Sequence, residues 1–338
     1  GTGWVTIRTS TPDKQFPPPG TRVSPAHASL MPKLISYKGE GVILADRGAH
    51  HYRFIGVEVA PEEGVSLRSL MLFGSNQERS LEELPHHIIV DRCYIHGDPK
   101  KGSRRGVALN GRHVAVIDSY LSDFKEVGAD SQAILGWGGA GPFKISNNYL
   151  EGAGENVMFG GGDPSIKDLV PSDIEVRGNV MVKPLRWKKN EPGFEGTPWT
   201  VKNIFELKNA RRVMVEGNVL EHSWEEAQSG FAVLFTVRNQ DGRAPWSVVE
   251  DVQFVNNIVR HSGSGLSLMG KDNNRPRDQS QETKRILVRN NLWEDIGGER
   301  WGGKGILFQM IEGSSDVNIQ HNTGVHRGYT LFSMGPLH

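Results

Sequence analysis

The stretch RILVRNNLWEDIG, residues 285–297, decides the fold because it is a strand pattern interrupted by a polar pair. Apolar and polar residues alternate up to Val288, two asparagines stand at Asn290 and Asn291, and apolar residues resume at Leu292. Asparagine is among the poorest strand formers. One such interruption would indicate a turn, but the chain repeats it many times.

Eight segments share alternating apolar residues, then a polar or glycine pair, then a further apolar residue. The second member of each pair is, in chain order, Cys93, Ser119, Asn148, Asn179, Asn218, Asn257, Asn291 and Asn322. The intervals range from 26 residues (93 to 119) to 39 residues (179 to 218). One fixed motif with an irregular period is typical of a solenoid whose coils share a core path and differ in their loops.

Asparagine tolerates a left-handed backbone at a tight bend, and its amide can hydrogen-bond the asparagine of the next coil. We therefore predict that Asn148, Asn179, Asn218, Asn257, Asn291 and Asn322 stack as a ladder at one corner. The apolar period of about 2 excludes repeats built from helix pairs.

On these repeats the sequence resembles the right-handed parallel β-helix proteins of the pectate-lyase-like superfamily, over nearly the whole chain. The resemblance implies an all-β fold, a single-stranded right-handed parallel β-helix with an asparagine ladder. We expect one domain over residues 1–338, truncated at one or both ends because both ends read as strands. The fold hosts lyases, hydrolases, esterases and non-enzymatic adhesins, so it does not specify an activity.

The composition narrows the classes of partner and compartment. Lys+Arg and Asp+Glu are equal at 39 each, so no net charge favours nucleic acid or an anionic membrane. No apolar run is long enough to span a bilayer. Cys93 is the single cysteine, which excludes an internal disulfide and a CxxC site. We expect a secreted, periplasmic or cell-surface protein, monomeric or self-associating end to end, whose signal peptide lies outside this numbering.

A further strand follows the corner in each coil, and its outward side chains form the candidate site. Alternation places Val157 and Phe159 inside, so alternate residues face outward. Neighbouring coils lie about 4.8 Å apart, which brings residues that are remote in sequence onto one surface. The polar outward candidates are Gln132, Asn156, Glu206, Lys208 and Arg238.

Loops beside these strands add carboxylates and tryptophans. The carboxylates are Asp130, Glu155 and Asp163. A loop insertion at 186–202 carries Trp187 and Trp199, and Trp137 ends a neighbouring strand. Sugar rings stack on aromatic faces, so we predict a polysaccharide site in which these tryptophans, Gln132 and Asn156 bind substrate.

Two chemistries remain open for this face. The lyase version resembles the chondroitinase and alginate-lyase family of β-helices, and the resemblance implies that Lys208 abstracts the proton next to a uronate carboxylate while Arg238 assists the leaving oxygen. It also implies calcium, although Val201 and Asn203 stand where that family has glutamates.

The hydrolase version needs two carboxylates, for which Asp130, Glu155, Asp163 and Glu206 are candidates. A third reading, from another class, is a non-enzymatic surface, carbohydrate-binding or filament-forming β-helix protein, whose exposed strand edges pair end to end.

Histidine pairs at 50–51 and 86–87 are the most conspicuous potential metal ligands. Adjacent residues of a strand point to opposite faces. We therefore predict that neither pair binds a metal ion.

Overall fold

Three parallel sheets run the length of the protein in the computed structural model, which describes residues 3–272 and 279–335. Each coil contributes one strand to each sheet, and each strand pairs with its counterparts in the coils on either side. The architecture is a right-handed parallel β-helix, as the sequence predicts. Within the described residues no helix is long and apolar enough to cross a membrane.

Sheet 1 precedes the asparagine corner in every coil. Its strands are β1 (Val5–Arg8), β4 (His50–Ile55), β7 (His86–Asp91), β10 (Arg112–Ile117), β13 (Phe143–Ser146), β16 (Ser172–Arg177), β19 (Ala210–Glu216), β22 (Val249–Val255), β25 (Lys284–Arg289) and β28 (Ser315–Gln320).

Sheet 2 follows the corner. Its strands are β2 (Lys33–Ser36), β5 (Glu58–Pro61), β8 (Tyr94–His96), β11 (Tyr120–Phe124), β14 (Tyr149–Gly152), β17 (Val180–Val182), β20 (Val219–Ser223), β23 (Ile258–Ser262), β26 (Leu292–Ile296) and β29 (Thr323–His326).

Sheet 3 completes each coil and carries the candidate site. Its strands are β3 (Ile43–Ala45), β6 (Met71–Phe73), β9 (Arg105–Leu109), β12 (Gln132–Gly136), β15 (Glu155–Phe159), β18 (Phe205–Leu207), β21 (Phe231–Thr236), β24 (Ser264–Met269), β27 (Ile306–Ile311) and β30 (Thr330–Met334). Two short 3₁₀ helices lie in loops, at Pro25–Leu30 and Leu185–Trp187.

The core is a column of apolar side chains enclosed by the three sheets. Val157, Phe205 and Val233 are neighbours in register on β15, β18 and β21, and all three are fully buried. Phe159 and Leu207 form the next such row. The inward residues predicted from alternation in sheet 3 are therefore confirmed.

At the asparagine corner, one residue of each pair forms the ladder of hydrogen bonds and the residue before it adopts the left-handed backbone. Asn148 Nδ2 donates to Asn179 Oδ1 at 3.0 Å, and the same bond recurs at every step down to Asn322. The left-handed backbone belongs instead to the preceding residue, as at Asn147 (φ 56°) and Asn256 (φ 58°). The first member of each pair makes the bend, and the second forms the ladder.

A second column of left-handed residues runs along the start of the sheet 1 strands. Its members have φ from 52° to 62° and are His51, His87, His113, Asp173, Arg212, Asp251, Arg285 and Asp316. The last five alternate in charge. Arg212 Nε donates to Asp173 Oδ1 at 2.7 Å, and Arg285 Nε donates to Asp251 Oδ1 at 2.6 Å.

Candidate active site

At the start of β15 two consecutive backbone N–H groups share one carbonyl acceptor, and the side chains there depart from strict alternation. The backbone N–H groups of Asn156 and Val157 both donate to the carbonyl of Ile204, at 2.9 and 3.2 Å. Asn156 consequently turns inward, where its amide donates to the carbonyls of Leu150 and Val182. The prediction that Asn156 binds substrate is wrong, because its amide is fully buried and donates to two backbone carbonyls.

Glu155 takes the outward position instead. Gln132 Nε2 donates to Glu155 Oε2 at 2.7 Å, and the Gln132 Oε1 atom accepts from Arg105 Nε at 3.4 Å. The Arg105 guanidinium lies 5.2 Å from the ring centroid of Trp137, which is only half-buried. This chain of contacts places Gln132 and Glu155 on the Trp137 side of sheet 3.

The Glu155 carboxyl group is fully buried, and its Oε1 atom has no hydrogen-bond partner among the described residues. Burial, together with the charges of Glu206 and Asp130, raises the pKa of Glu155 to about 7. Glu155 is therefore a carboxyl group that holds its proton close to neutral pH.

Glu206 lies in the next coil, and its carboxylate is held at only one oxygen. Lys208 Nζ lies 3.6 Å from Glu206 Oε1, and the Thr236 hydroxyl donates to the same oxygen at 3.1 Å. Glu206 Oε2 is buried and has no hydrogen-bond partner in the described part of the chain. The two carboxyl groups thus each present one unsatisfied oxygen.

Cations surround these carboxyl groups. Lys202 Nζ forms an ion pair with Asp130 Oδ1 at 2.6 Å. Although burial opposes it, the charges of Glu155, Asp130 and Glu206 raise the pKa of Lys202. We call Asp130, Gln132, Glu155, Lys202, Glu206 and Lys208 the carboxylate cluster.

A cavity of about 360 Å³ lies beyond the cluster along sheet 3. Arg105 and Trp137 line it together with Arg68 and Leu72. Because Arg105 also contacts Gln132 of the cluster, the cavity and the cluster are adjacent parts of one surface.

Lys183 supports the cluster from inside and was missed by the sequence analysis. Its buried ammonium donates to the carbonyls of Gly152, Ala153 and Gly154 at 2.6 to 2.9 Å, in the turn directly before Glu155. Burial lowers the pKa of Lys183, and the charge of Glu155 opposes that shift. The sequence does carry a signal for this residue. Lys183 stands two residues after the buried Met181, so strand alternation places its side chain inside the coil.

Two predicted catalytic residues have structural partners instead. Asp163 Oδ2 accepts from the backbone N–H groups of Asp241 and Arg243, at 3.1 and 2.8 Å, and so holds a loop. Arg238 lies beside Lys208 through its backbone, but its guanidinium donates to Asp272 Oδ1 at 2.7 Å. The structure does not bring either side chain into the carboxylate cluster.

The tryptophans of the 186–202 insertion are buried and packed against other side chains, so they are not exposed platforms for a sugar ring. Trp187 and Trp199 are 2% and 5% exposed and pack in one cluster with Trp224 and Trp301. The Lys125 ammonium lies 5.3 and 4.9 Å from the Trp187 and Trp199 ring centroids. Of the three predicted platforms, Trp137 is the one whose ring is only half-buried.

The residues at the implied calcium position do not fit the ion. Calcium takes six to eight oxygen ligands, usually including carboxylates. Val201 is apolar and buried, and Asn203 offers one amide oxygen, which lacks a partner among the described residues. We therefore derive no step through calcium.

No protein-family model and no curated protein sequence matches the chain. Among solved structures, it is similar to the surface protein and adhesin PfbA of Streptococcus pneumoniae, with a TM-score of 0.42, 9% identity, and 90% of this chain and 81% of that one covered. It is also similar to a mannuronic-acid-specific polysaccharide family 6 lyase from human gut microbiota, with a TM-score of 0.41, 11% identity, and 94% and 77% covered. At these identities neither likeness assigns an activity to this chain.

Proposed function

We propose that the protein is a carbohydrate-active enzyme that cleaves a polysaccharide, and that the carboxylate cluster is its active site. The observation that carries this proposal is the pair of buried carboxyl groups, Glu155 and Glu206, each with one oxygen that has no hydrogen-bond partner among the described residues. Buried polar atoms are normally hydrogen-bonded, and strongly perturbed carboxyl groups concentrate at functional sites. A glycan supplies the hydroxyl and glycosidic oxygens that such groups bind.

The favoured chemistry is hydrolysis with Glu155 as the acid. A glycosidase needs one protonated carboxyl group for the leaving oxygen and one carboxylate for water or for the anomeric carbon. Glu155, with its pKa raised to about 7, is the proposed acid, and Glu206, which forms an ion pair with Lys208, is the proposed second carboxyl group. A carboxyl group whose surroundings raise its pKa is suited to act as the acid, and a neighbouring carboxylate can act as the base.

The surrounding cations favour an acidic glycan. Lys202, Lys208 and Arg105 all lie at or beside the cluster, within reach of a uronate carboxylate. The adjacent cavity at Trp137 extends the surface along sheet 3, as a polymeric substrate requires. Such a substrate is found outside the cytoplasm, so we also propose a secreted, periplasmic or cell-surface location.

Elimination by a lyase is the second candidate, because Lys208 borders the same unsatisfied oxygens. A lysine acts as an elimination base only when its amine is free to accept a proton, whereas the Lys208 side chain is engaged in an ion pair with Glu206 at 3.6 Å. Arg238, the cation that would oppose this pairing, is bound to Asp272. These contacts favour hydrolysis over elimination.

A panel of neutral and uronate-containing polysaccharides tests the proposal. Reducing ends report any cleavage, and the ultraviolet absorbance of unsaturated uronate ends reports elimination. Loss of reducing-end release in Glu206→Gln with survival in Lys208→Ala supports hydrolysis, and the reverse supports a lyase. Binding of a glycan with no cleavage by the wild type would favour a non-enzymatic carbohydrate-binding protein.

A further inference from the structure

Five histidines form two stacked columns at the start of sheet 1, on a different sheet from the strands that carry the carboxylate cluster. His50 and His86 are partners in register, and their rings stack at a centroid distance of 4.9 Å. His51, His87 and His113 form the second column, with centroid distances of 4.6 and 4.5 Å.

The left-handed residues bring the two columns to the same side of the sheet. His51 and His87 have φ of 62° and 54°, so each ring lies beside that of the residue before it. The Nδ1 atoms of His50 and His51 are 2.9 Å apart, and those of His86 and His87 are 2.7 Å apart. The expectation that adjacent histidines point to opposite faces is wrong here, because it assumed an extended backbone.

We propose that His51, His86 and His87 bind one transition-metal ion. One ring nitrogen from each of the three lies within 4.8 Å of the other two. Across residues 3–272 and 279–335 this is the one group of three such ligand residues. Tetrahedral zinc, with bonds of 2.0–2.1 Å, places its ligand nitrogens about 3.4 Å apart, so small ring rotations complete the site.

The chemistry of the site selects the class of metal. Imidazole suits zinc, copper and nickel, whereas calcium and magnesium require oxygen ligands. Arg112 is the register neighbour of His86. Its positive charge further disfavours a hard cation, because such an ion is held mainly by charge. The three rings are only half-buried, so an ion can enter from solvent. Zinc is the probe of choice.

The left-handed column provides matched variants for the test. Asparagine tolerates positive φ, so His87→Asn and His113→Asn should both keep the fold, which circular dichroism checks. His113 stacks on His87 but is exposed and lies outside the three-ligand group. In zinc titrations of metal-free, untagged protein followed by calorimetry, we expect one equivalent to bind the wild type. His87→Asn should weaken binding by at least about tenfold and His113→Asn by less than about threefold.

A second readout locates the ion without removing a ligand. The Trp4 ring lies 5.2 Å from His51, so Cu²⁺ in the site should quench Trp4 fluorescence. The quenching should disappear in Trp4→Phe while zinc affinity is retained. Absence of zinc binding by the wild type, equal losses in both asparagine variants, or quenching unaffected by Trp4→Phe would each overturn the site. None of these readouts depends on polysaccharide cleavage.

Discussion

Lys208 Nζ and Glu206 Oε1 lie 3.6 Å apart, with Glu206 in β18 and Lys208 directly after the end of that strand. Lys208 is two residues after Glu206, so the two point the same way from the sheet. The lysine and the Thr236 hydroxyl occupy one oxygen of Glu206 and leave the other open. Lys208 thus orients a carboxylate, and this relationship underlies the first prediction.

Glu206→Gln should reduce turnover by about 10²-fold or more, the range for loss of an acid–base group, with little change in melting temperature. Lys208→Ala should lower turnover less, because the carboxylate remains. Initial rates on the best substrate of the panel measure both effects. Glu175→Gln, on sheet 1, is the matched control and should retain full activity. Equal activity of Glu206→Gln and the wild type would show that the active site is elsewhere.

The rate should fall as pH rises through about 7, the raised pKa of Glu155. A general acid acts only while it is protonated, so kcat/KM decreases on the alkaline side, where Glu155 has lost its proton. Measurement of kcat/KM from acid to mildly alkaline pH checks this limb. A rate that climbs steadily across neutrality would instead indicate a base that must lose its proton, as in the lyase reading.

Stability should depend on pH through the same group. The pKa of Glu155 is raised from 4.5 to about 7 in the folded protein, mainly by burial, so between these values the folded state binds more protons than the unfolded state. The Glu155 contribution is present below pH 4.5 and is lost as pH rises through about 7. Glu155→Gln, which cannot ionise, should show a smaller fall in melting temperature over this window. Parallel curves for the variant and the wild type would contradict the raised pKa.

Asn257→Leu should destabilise the protein by roughly 1–3 kcal/mol, because leucine leaves the bonding groups of the ladder without partners. Asn257 Nδ2 donates to Asn291 Oδ1 and to the Val215 carbonyl, and its Oδ1 accepts from Asn218. Denaturant unfolding measures the free-energy change. Asn318→Leu, at an exposed position of sheet 1, is the control and should be nearly neutral.

Lys183→Met should lower both stability and turnover. Methionine fills a similar volume but leaves the carbonyls of residues 152–154 without their donor, and this turn positions Glu155. Lys144→Met, exposed on sheet 1, should change neither property. Thermal unfolding and initial rates test the pair. Unchanged turnover in a folded Lys183→Met protein would show that the turn does not position the acid.

The fold was predictable because its signal is local and repeated. Each polar pair, such as Asn290–Asn291, marks a corner within a few residues of sequence, and alternation then assigns the core. Glu206 and Lys208 were found in the same way, since β18 keeps its alternation. The sequence analysis therefore predicted the framework and named five of the six residues of the carboxylate cluster, all except Lys202.

The wrong predictions concern residues whose positions depend on backbone geometry or on packing against residues that are distant in sequence. The N–H groups of Asn156 and Val157 share one carbonyl, which the local pattern does not reveal, and the Asn156 amide is held inside the coil instead of facing outward. Trp187 is buried by tryptophans from later coils, which no local pattern specifies. The histidine pairs were misjudged for a related reason, since a positive φ at His87 is a property of the bend rather than of the residue type.

The alternating column Asp173, Arg212, Asp251, Arg285 and Asp316 bears on how such a protein changes length in evolution. Loss of the single coil that carries Asp251 would place Arg212 against Arg285, with like charges on adjacent strands. Loss of two successive coils would keep every acid beside a base. Duplication of coils follows the same rule, so this charge pattern favours the gain or loss of coils in pairs.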